Sequence, residues 1–252
     1  MDHLLNQVLE IAREAGEAIL RIYAEDFEVD IKADNSPVTA ADNAANRVIL
    51  QGLNALDASI PILSEEGGEK FTGPDGTGRY WLVDPLDGTK EFVKRNDEFT
   101  VNIALIEHGK PVLGVVLAPV FNVAYIAASG VGAFKVDESG RYPIRVAGKP
   151  AEGAKWRVMG SRSHAHPHLE RWLEQLGPYD ILPMGSSLKF GIIAEGSADA
   201  YPRLGPTSLW DTAAAQGVIE QAGGRVVTLE GAPLSYATPT ETLNPSFVVW
   251  GH

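Results

Sequence analysis

Two aspartates three positions apart, Asp84 and Asp87, stand in the stretch Tyr80-Trp81-Leu82-Val83-Asp84-Pro85-Leu86-Asp87-Gly88-Thr89-Lys90-Glu91-Phe92. Two carboxylates at close range cannot both stay ionised unless a cation or strong hydrogen-bond donors offset their repulsion. Pro85 has no amide hydrogen and a fixed φ, so its turn can aim the Leu86 carbonyl outward. Asp84, that carbonyl and Asp87 then make three oxygen ligands for a hard cation such as Mg²⁺. The amides of Gly88 and Thr89 open the next helix and suit a phosphate oxygen. Cation ligands beside an anion cradle point to metal-assisted phosphoryl chemistry. An aspartate-capped turn between strand and helix explains Asp-Gly-Thr on its own equally well.

These groups need a strand before them and a helix after. Tyr80 to Val83 reads as a short buried strand ending at the first aspartate. Upstream, Leu4, Leu5, Val8, Ile11, Ala12, Ala15, Ile19 and Ile22 recur at helical spacing, which predicts an amphipathic helix over 2–24. Val29 to Lys32 reads as a short strand. A Ser-Pro loop follows, and Thr39 caps a helix running to about Leu56. Ile60 to Leu63 is a strand ending in Ser64-Glu65-Glu66-Gly67, a glutamate pair that ordinary solvated surface would also explain. Residues 67–78 form a Gly/Pro-rich loop whose glycine spacing matches no nucleotide-binding pattern.

Phe99, Val101, Ile103 and Leu105 alternate with Thr100, Asn102 and Ala104, predicting a half-buried strand. Val112–Val116, Asn122–Ala128 and Gly132–Val136 continue a largely antiparallel meander. The polar stretch 137–155 divides a single domain, 1–252, into halves of about 1–145 and 150–252. The second half alternates strand and helix: a strand over 156–160, a helix from about Pro167 to Leu176, and a helix opened by Thr207-Ser208-Leu209-Trp210-Asp211 and closed by Gly223-Gly224. His164, His166 and His168 at alternate positions would share a face only in an extended strand, which Pro167 opposes. Ser186, Ser187 and Lys189 at a helix start suit a phosphate, and a plain serine cap accounts for them as well. Arg203 adds a further cation. The helix dipole alone would account for Asp211.

The chain has 252 residues, 44% of them hydrophobic and 21% charged, enough for a sizeable core. A net charge of −12 argues against a nucleic-acid polymer as partner but leaves room for a small anion bound through a metal. No apolar run reaches transmembrane length, no basic-then-apolar leader pattern opens the chain, and cysteine is absent. These features fit a cytoplasmic protein, with a peripheral seat on the inner membrane face left open.

Asp84-Pro85-Leu86-Asp87-Gly88-Thr89 resembles the signature of the inositol monophosphatase superfamily, lithium-sensitive Mg²⁺-dependent phosphatases. Leucine at the third position, continued by Lys90-Glu91-Phe92, is most similar to its 3′(2′),5′-bisphosphate nucleotidase branch. Segments 34–42, 64–66, 185–191 and 210–214 match family motifs in the expected order, so the likeness spans the chain. It implies a layered α/β/α/β/α sandwich of the inositol monophosphatase and fructose-1,6-bisphosphatase type, an α/β (α+β) fold. It implies a metal-binding first half and a substrate-binding second half. It implies two or three Mg²⁺ ions held by Glu65, Asp84, the Leu86 carbonyl, Asp87 and Asp211. Asp34, Glu65 and Thr89 become the catalytic groups around an attacking water. Glu65, Leu86, Asp87, Gly88, Thr89 and Asp211 then also touch substrate, joined by Ser163, His164, Ser186, Lys189 and Arg203. The implied reaction removes the 3′-phosphate of adenosine 3′,5′-bisphosphate, or of its sulfated form, giving AMP and phosphate in sulfur assimilation. Inositol monophosphatase and fructose-1,6-bisphosphatase activities remain alternatives, and a non-enzymatic phosphate- or cation-binding module would not need Asp34 or Thr89. The expected partner is a small bisphosphate nucleotide, and the protein is a monomer or a homodimer. A haloacid-dehalogenase-type site is excluded, because it needs aspartates two apart.

Overall fold

Apolar residues at helical spacing fold as α1 (Asp2–Tyr23), whose buried stripe includes Leu5, Val8, Ala12, Ala15 and Ile19. The computed structural model describes residues 1–25, 28–31, 37–67, 70–161 and 169–252. β1 (Val29–Ile31) and β2 (Pro37–Thr39) pair antiparallel. Thr39 then starts α2 (Ala40–Asp57) with a capping box: its hydroxyl accepts from the Ala41 amide at 3.1 Å, and its own amide donates to Asp42 Oδ2 at 2.8 Å. Among the described residues no helix is long and apolar enough to cross a membrane.

A seven-stranded sheet follows in sequence order: β3 (Ile62–Ser64), β4 (Arg79–Asp87), β5 (Thr100–Glu107), β6 (Lys110–Ala118), β7 (Val123–Ala128), β8 (Gly132–Asp137) and β9 (Gly140–Pro143). Only its β3–β4 pair is parallel. The short α3 (Thr89–Val93) links β4 to β5. A second sheet takes β10 (Trp156–Ser161), β11 (Tyr179–Met184), β12 (Ala200–Arg203), β13 (Arg225–Thr228) and β14 (Phe247–Trp250), in the order β11-β10-β12-β14-β13. α4 (Leu169–Glu174), α5 (Leu188–Ala194) and α6 (Ala213–Gln221) lie between its strands in the chain. α1 and α2 cover one face of the large sheet. α5 and α6 fill the space between the two sheets. On the far side Trp172 of α4 packs on Trp250, with ring centres 5.7 Å apart. The expected five-layer sandwich is present.

Three expectations change. β5 is buried on both faces, not half-buried: Val101, Ile103 and Leu105 pack toward α1 and α2, while Ala104 and Ile106 pack toward α6. A sheet covered by helices on both sides has no solvated face, so alternating polarity here does not mean exposure. β4 does not stop before Asp84 but runs on to Asp87. The last helix starts at Ala213, so Asp211 lies in the turn ahead of it rather than in its first turn.

α6 presses closely on the large sheet at Gly114, where a Cβ would lie 2.2 Å from the Ala214 carbonyl oxygen. Replacing Gly114 with Ala should lower the unfolding free energy by about 1–3 kcal/mol. Urea denaturation reads this directly, and an unchanged midpoint would mean that α6 can shift off the sheet without loss.

Candidate active site

In a regular strand, residues three apart point to opposite faces. Asp84 and Asp87 escape this because β4 carries one extra residue: Asp84 is paired with Asn102 and Asp87 with Thr100, with a register shift between them. Pro85 sits in the bulge, where its missing amide hydrogen leaves no ladder bond unmade. The bulge turns both carboxylates to one side. Asp211 arrives from the turn before α6, and one carboxylate oxygen from each of the three lies within 4.8 Å of the others. Three hard oxygen donors so close together could hold a metal ion. Glu65, just after β3, adds a fourth carboxylate beside Asp84.

Burial pushes the Asp84 carboxyl well above the usual aspartate range, and the charges of Glu65, Asp87 and Asp211 push it further. Burial, Asp87 and Glu65 likewise raise Asp211 to about 8. Donors offset part of this repulsion. The Leu86 amide donates to Asp84 Oδ1 at 3.1 Å, and the Ser208 amide donates to Asp211 Oδ2 at 3.0 Å. Asp87 Oδ2 accepts from the Ser187 amide at 2.6 Å, and the Ser187 hydroxyl lies 2.7 Å from both that oxygen and the Asp211 carbonyl.

Gly88, with φ of 96°, makes the left-handed turn that only glycine takes without strain. It delivers Thr89 to a second carboxylate from another element. The Thr89 hydroxyl is 3.2 Å from Asp42 Oδ1 and 3.3 Å from the Leu86 carbonyl. Asp42 is 1% exposed, and its other oxygen is already held by the Thr39 amide and hydroxyl. Burial raises the Asp42 carboxyl.

Glu65, Asp84, Leu86, Asp87, Gly88, Thr89 and Asp211 line one cavity of about 400 Å³, and Ser186, Lys189 and Arg203 line it with them. Ser186 adopts a positive φ of 45°. The buried Lys189 ammonium donates to the Ser186 carbonyl at 2.5 Å and the Met184 carbonyl at 3.4 Å, 5.1 Å from the Tyr201 ring centre. Burial lowers it to about 8 against the opposing pull of Asp87. Arg203 Nε donates to Thr207 Oγ1 at 2.5 Å and its Nη2 to the Pro206 carbonyl at 2.9 Å. Asp34, Ser163, His164, His166 and His168 lie outside the described residues.

This assembly draws its residues from both halves of the chain, and a sequence profile described as the inositol monophosphatase family matches residues 1–247. The chain belongs to the inositol monophosphatase family. It is 52% identical over 248 residues to the 3′(2′),5′-bisphosphate nucleotidase CysQ of Escherichia coli O157:H7, covering 98% of this chain and 99% of that protein. It is 36% identical over 256 residues to the nucleotidase of the same name from Haemophilus influenzae, covering 99% and 93%. The crystal structure of CysQ from Bacteroides thetaiotaomicron superposes with a TM-score of 0.85 at 38% identity, covering 99% of this chain and 97% of that one. An inositol monophosphatase from Anabaena sp. PCC 7120 superposes at 0.78 with 26% identity, covering 99% and 91%. Family membership accounts for the layered fold.

The sequence alone does not single out Asp42 or Asn102 as site residues, and it offers Ser187 to a phosphate rather than to Asp87. Asp42 was visible as the partner of the Thr39 cap, but its reach to Thr89 spans 47 positions. Ser187 sits beside Ser186, and only the backbone turn decides which hydroxyl faces Asp87. Asn102 Nδ2 donates to Ser187 Oγ at 2.9 Å from the strand opposite Asp84.

The raised carboxyls predict a pH dependence. A group held more protonated when folded stabilises the fold below its unfolded pKa of 3.8, and that stability is lost as pH rises toward the folded value, about 8 for Asp211. In excess chelator, thermal stability should fall between pH 5 and about 8. Added Mg²⁺ should restore more of it at the upper end, where the carboxylates are ionised. A scanning-fluorimetry series with no gain on adding Mg²⁺ at the upper end would contradict the cluster as a cation site.

Proposed function

We propose that the chain is a Mg²⁺-dependent 3′(2′),5′-bisphosphate nucleotidase that removes the 3′-phosphate of adenosine 3′,5′-bisphosphate. The observation that carries this is the cavity itself. It is lined by a four-carboxylate cluster and by the cations Lys189 and Arg203, in a chain half identical to nucleotidases over its whole length. A substrate with two phosphates on one ribose has one for the metal-binding carboxylates and one for the two cations.

Glu65, Asp84, the Leu86 carbonyl, Asp87 and Asp211 are the proposed ligands. Cations bound there supply positive charge to the scissile phosphate and acidify the attacking water. The chain's own groups orient that water. Thr89 donates its hydroxyl proton to Asp42, leaving its lone pairs toward the cavity, and Asp42, oriented by Thr39 and raised by burial against the pull of those hydrogen bonds, suits a proton acceptor. The water oxygen bonds to phosphorus, the bond to the ribose 3′ oxygen breaks, and the water's proton passes through Thr89 to Asp42. The 3′ oxygen leaves with the bond pair and takes a proton from solvent. Asp42 takes the proton in this scheme on the strength of its contact with Thr89, while Asp34, the residue expected from the sequence, lies outside the described residues. The amides of Gly88 and Thr89 face the scissile phosphate. Ser186, Lys189 and Arg203 face the 5′-phosphate. The Lys189 ammonium is already engaged by two carbonyls, so it contributes by charge and a remaining donor.

Phosphate release from adenosine 3′,5′-bisphosphate, inositol 1-phosphate and fructose 1,6-bisphosphate tests the assignment side by side. The bisphosphate nucleotide should be preferred by kcat/KM, activity should vanish in excess chelator, and inositol 1-phosphate as best substrate would refute the reading. Asp42→Asn and Thr89→Ala should each lower kcat by about 10²–10⁴. Because the two act as one unit, the double variant should lose little more than either alone. Additive losses would separate Asp42 from Thr89.

A further inference from the structure

Among the described residues Leu243 is the most exposed large hydrophobic side chain, at 59%. A lone exposed leucine needs no explanation. This one lines the active-site cavity, where Leu86, Phe190, Tyr201, Pro206 and Phe247 supply the other apolar surface beside the charged groups. It is also held rigidly there. Leu243 forms an antiparallel bridge with Ser208. The Leu209 amide donates to the Thr242 carbonyl, and the Asn244 amide donates to the Thr207 carbonyl, both at 2.8 Å. Asn244 Nδ2 then donates to the Ser208 carbonyl at 2.8 Å and to Thr212 Oγ1 at 3.0 Å. The main chain on either side is therefore tied to the turn that carries Asp211 and to Thr207, the residue Arg203 grips. An apolar side chain fixed at a cavity rim between two charge-bearing elements has little to gain except contact with a ligand.

We propose that Leu243 is the apolar rest for the nucleobase and sets the preference for a nucleotide over a base-free bisphosphate. The inference rests on the nucleotidase reading above. With both phosphates directed into the charged lining, the ribose lies between them and the base leaves through the mouth. Its flat face has no charge to pair and gains by covering an exposed leucine.

The test measures kcat and KM for wild type, Leu243→Ser and Leu243→Met on two compounds. One is adenosine 3′,5′-bisphosphate, and the other is 1-deoxyribose 3,5-bisphosphate, which has both phosphates and no base. Leu243→Ser should raise KM for the nucleotide about five- to tenfold with kcat within about twofold. The ratio of kcat/KM for nucleotide over base-free compound should fall by the same factor. Leu243→Met, similar in volume and polarity, should keep the wild-type ratio. An unchanged ratio in Leu243→Ser, or equal losses on both compounds, overturns the role of Leu243 while leaving the nucleotidase reading in place. A wild-type enzyme that does not hydrolyse the nucleotide overturns both.

Discussion

Burying Asp84 beside Glu65, Asp87 and Asp211 is the constraint around which the molecule is arranged. Like charges in a poorly solvated place repel strongly, and desolvation already disfavours each ionised form. The donors that make the cluster tolerable come from separate elements. One is the Leu86 amide within the β4 bulge, another is the Ser187 amide ahead of α5, and a third is the Ser208 amide in the turn before α6. No one segment can form the cluster alone. The site is therefore complete only where β4, the α5 start and the turn before α6 are packed together.

The rigidity this requires is built from buried polar contacts as well as apolar packing. The Tyr80 hydroxyl on β4 donates to the Tyr236 carbonyl at 2.7 Å, and the Tyr236 hydroxyl donates to Gln216 Oε1 at 2.8 Å. Thr212 Oγ1 lies 3.0 Å from that same tyrosine oxygen, one residue after Asp211. The chain is thus tied from the strand that carries Asp84 and Asp87 to the turn that carries Asp211. Buried networks of this kind rigidify only when their members are satisfied, and these side chains have partners. Close approach of α6 at Gly114 completes the arrangement by bringing helix backbone against sheet backbone.

The cavity lining combines two kinds of group. The carboxylates come from the residue after β3, from β4 and from the turn before α6. Lys189, Arg203 and Leu243 come from α5, β12 and the 242–244 bridge, and that bridge and the α5 start are bonded directly to the carboxylate-bearing turns. Under the proposed function, selectivity among phosphate esters rests on Lys189, Arg203 and Leu243, because carboxylates bound through cations offer only generic affinity for phosphate.

How much of this was legible in the sequence follows from range. Helical spacing from Leu4 to Ile22, the Thr39 cap and the alternation along the meander depend on neighbours a few positions apart, and α1, α2 and the strands β3 to β8 formed where those signals lay, whereas β9 formed inside the polar stretch 137–155 expected to divide the halves. The Asp84–Thr89 stretch was recognisable because its chemistry is compact: two carboxylates, a proline and a glycine within six positions. What the sequence alone could not decide were matters of register and reach. Only strand pairing shows that β4 carries a bulge, and without it Asp84 and Asp87 would face opposite sides. Only the packed layers show that β5 is covered on both faces and that the buried Lys189 is drawn to carbonyls of its own loop. The partner of Thr89 is a cap residue 47 positions away, and no local pattern can select it, because the contact exists only once α2 lies against the turn at Gly88. Local propensity set the elements of this protein, while the distances between charges, on which its chemistry depends, were set by tertiary packing.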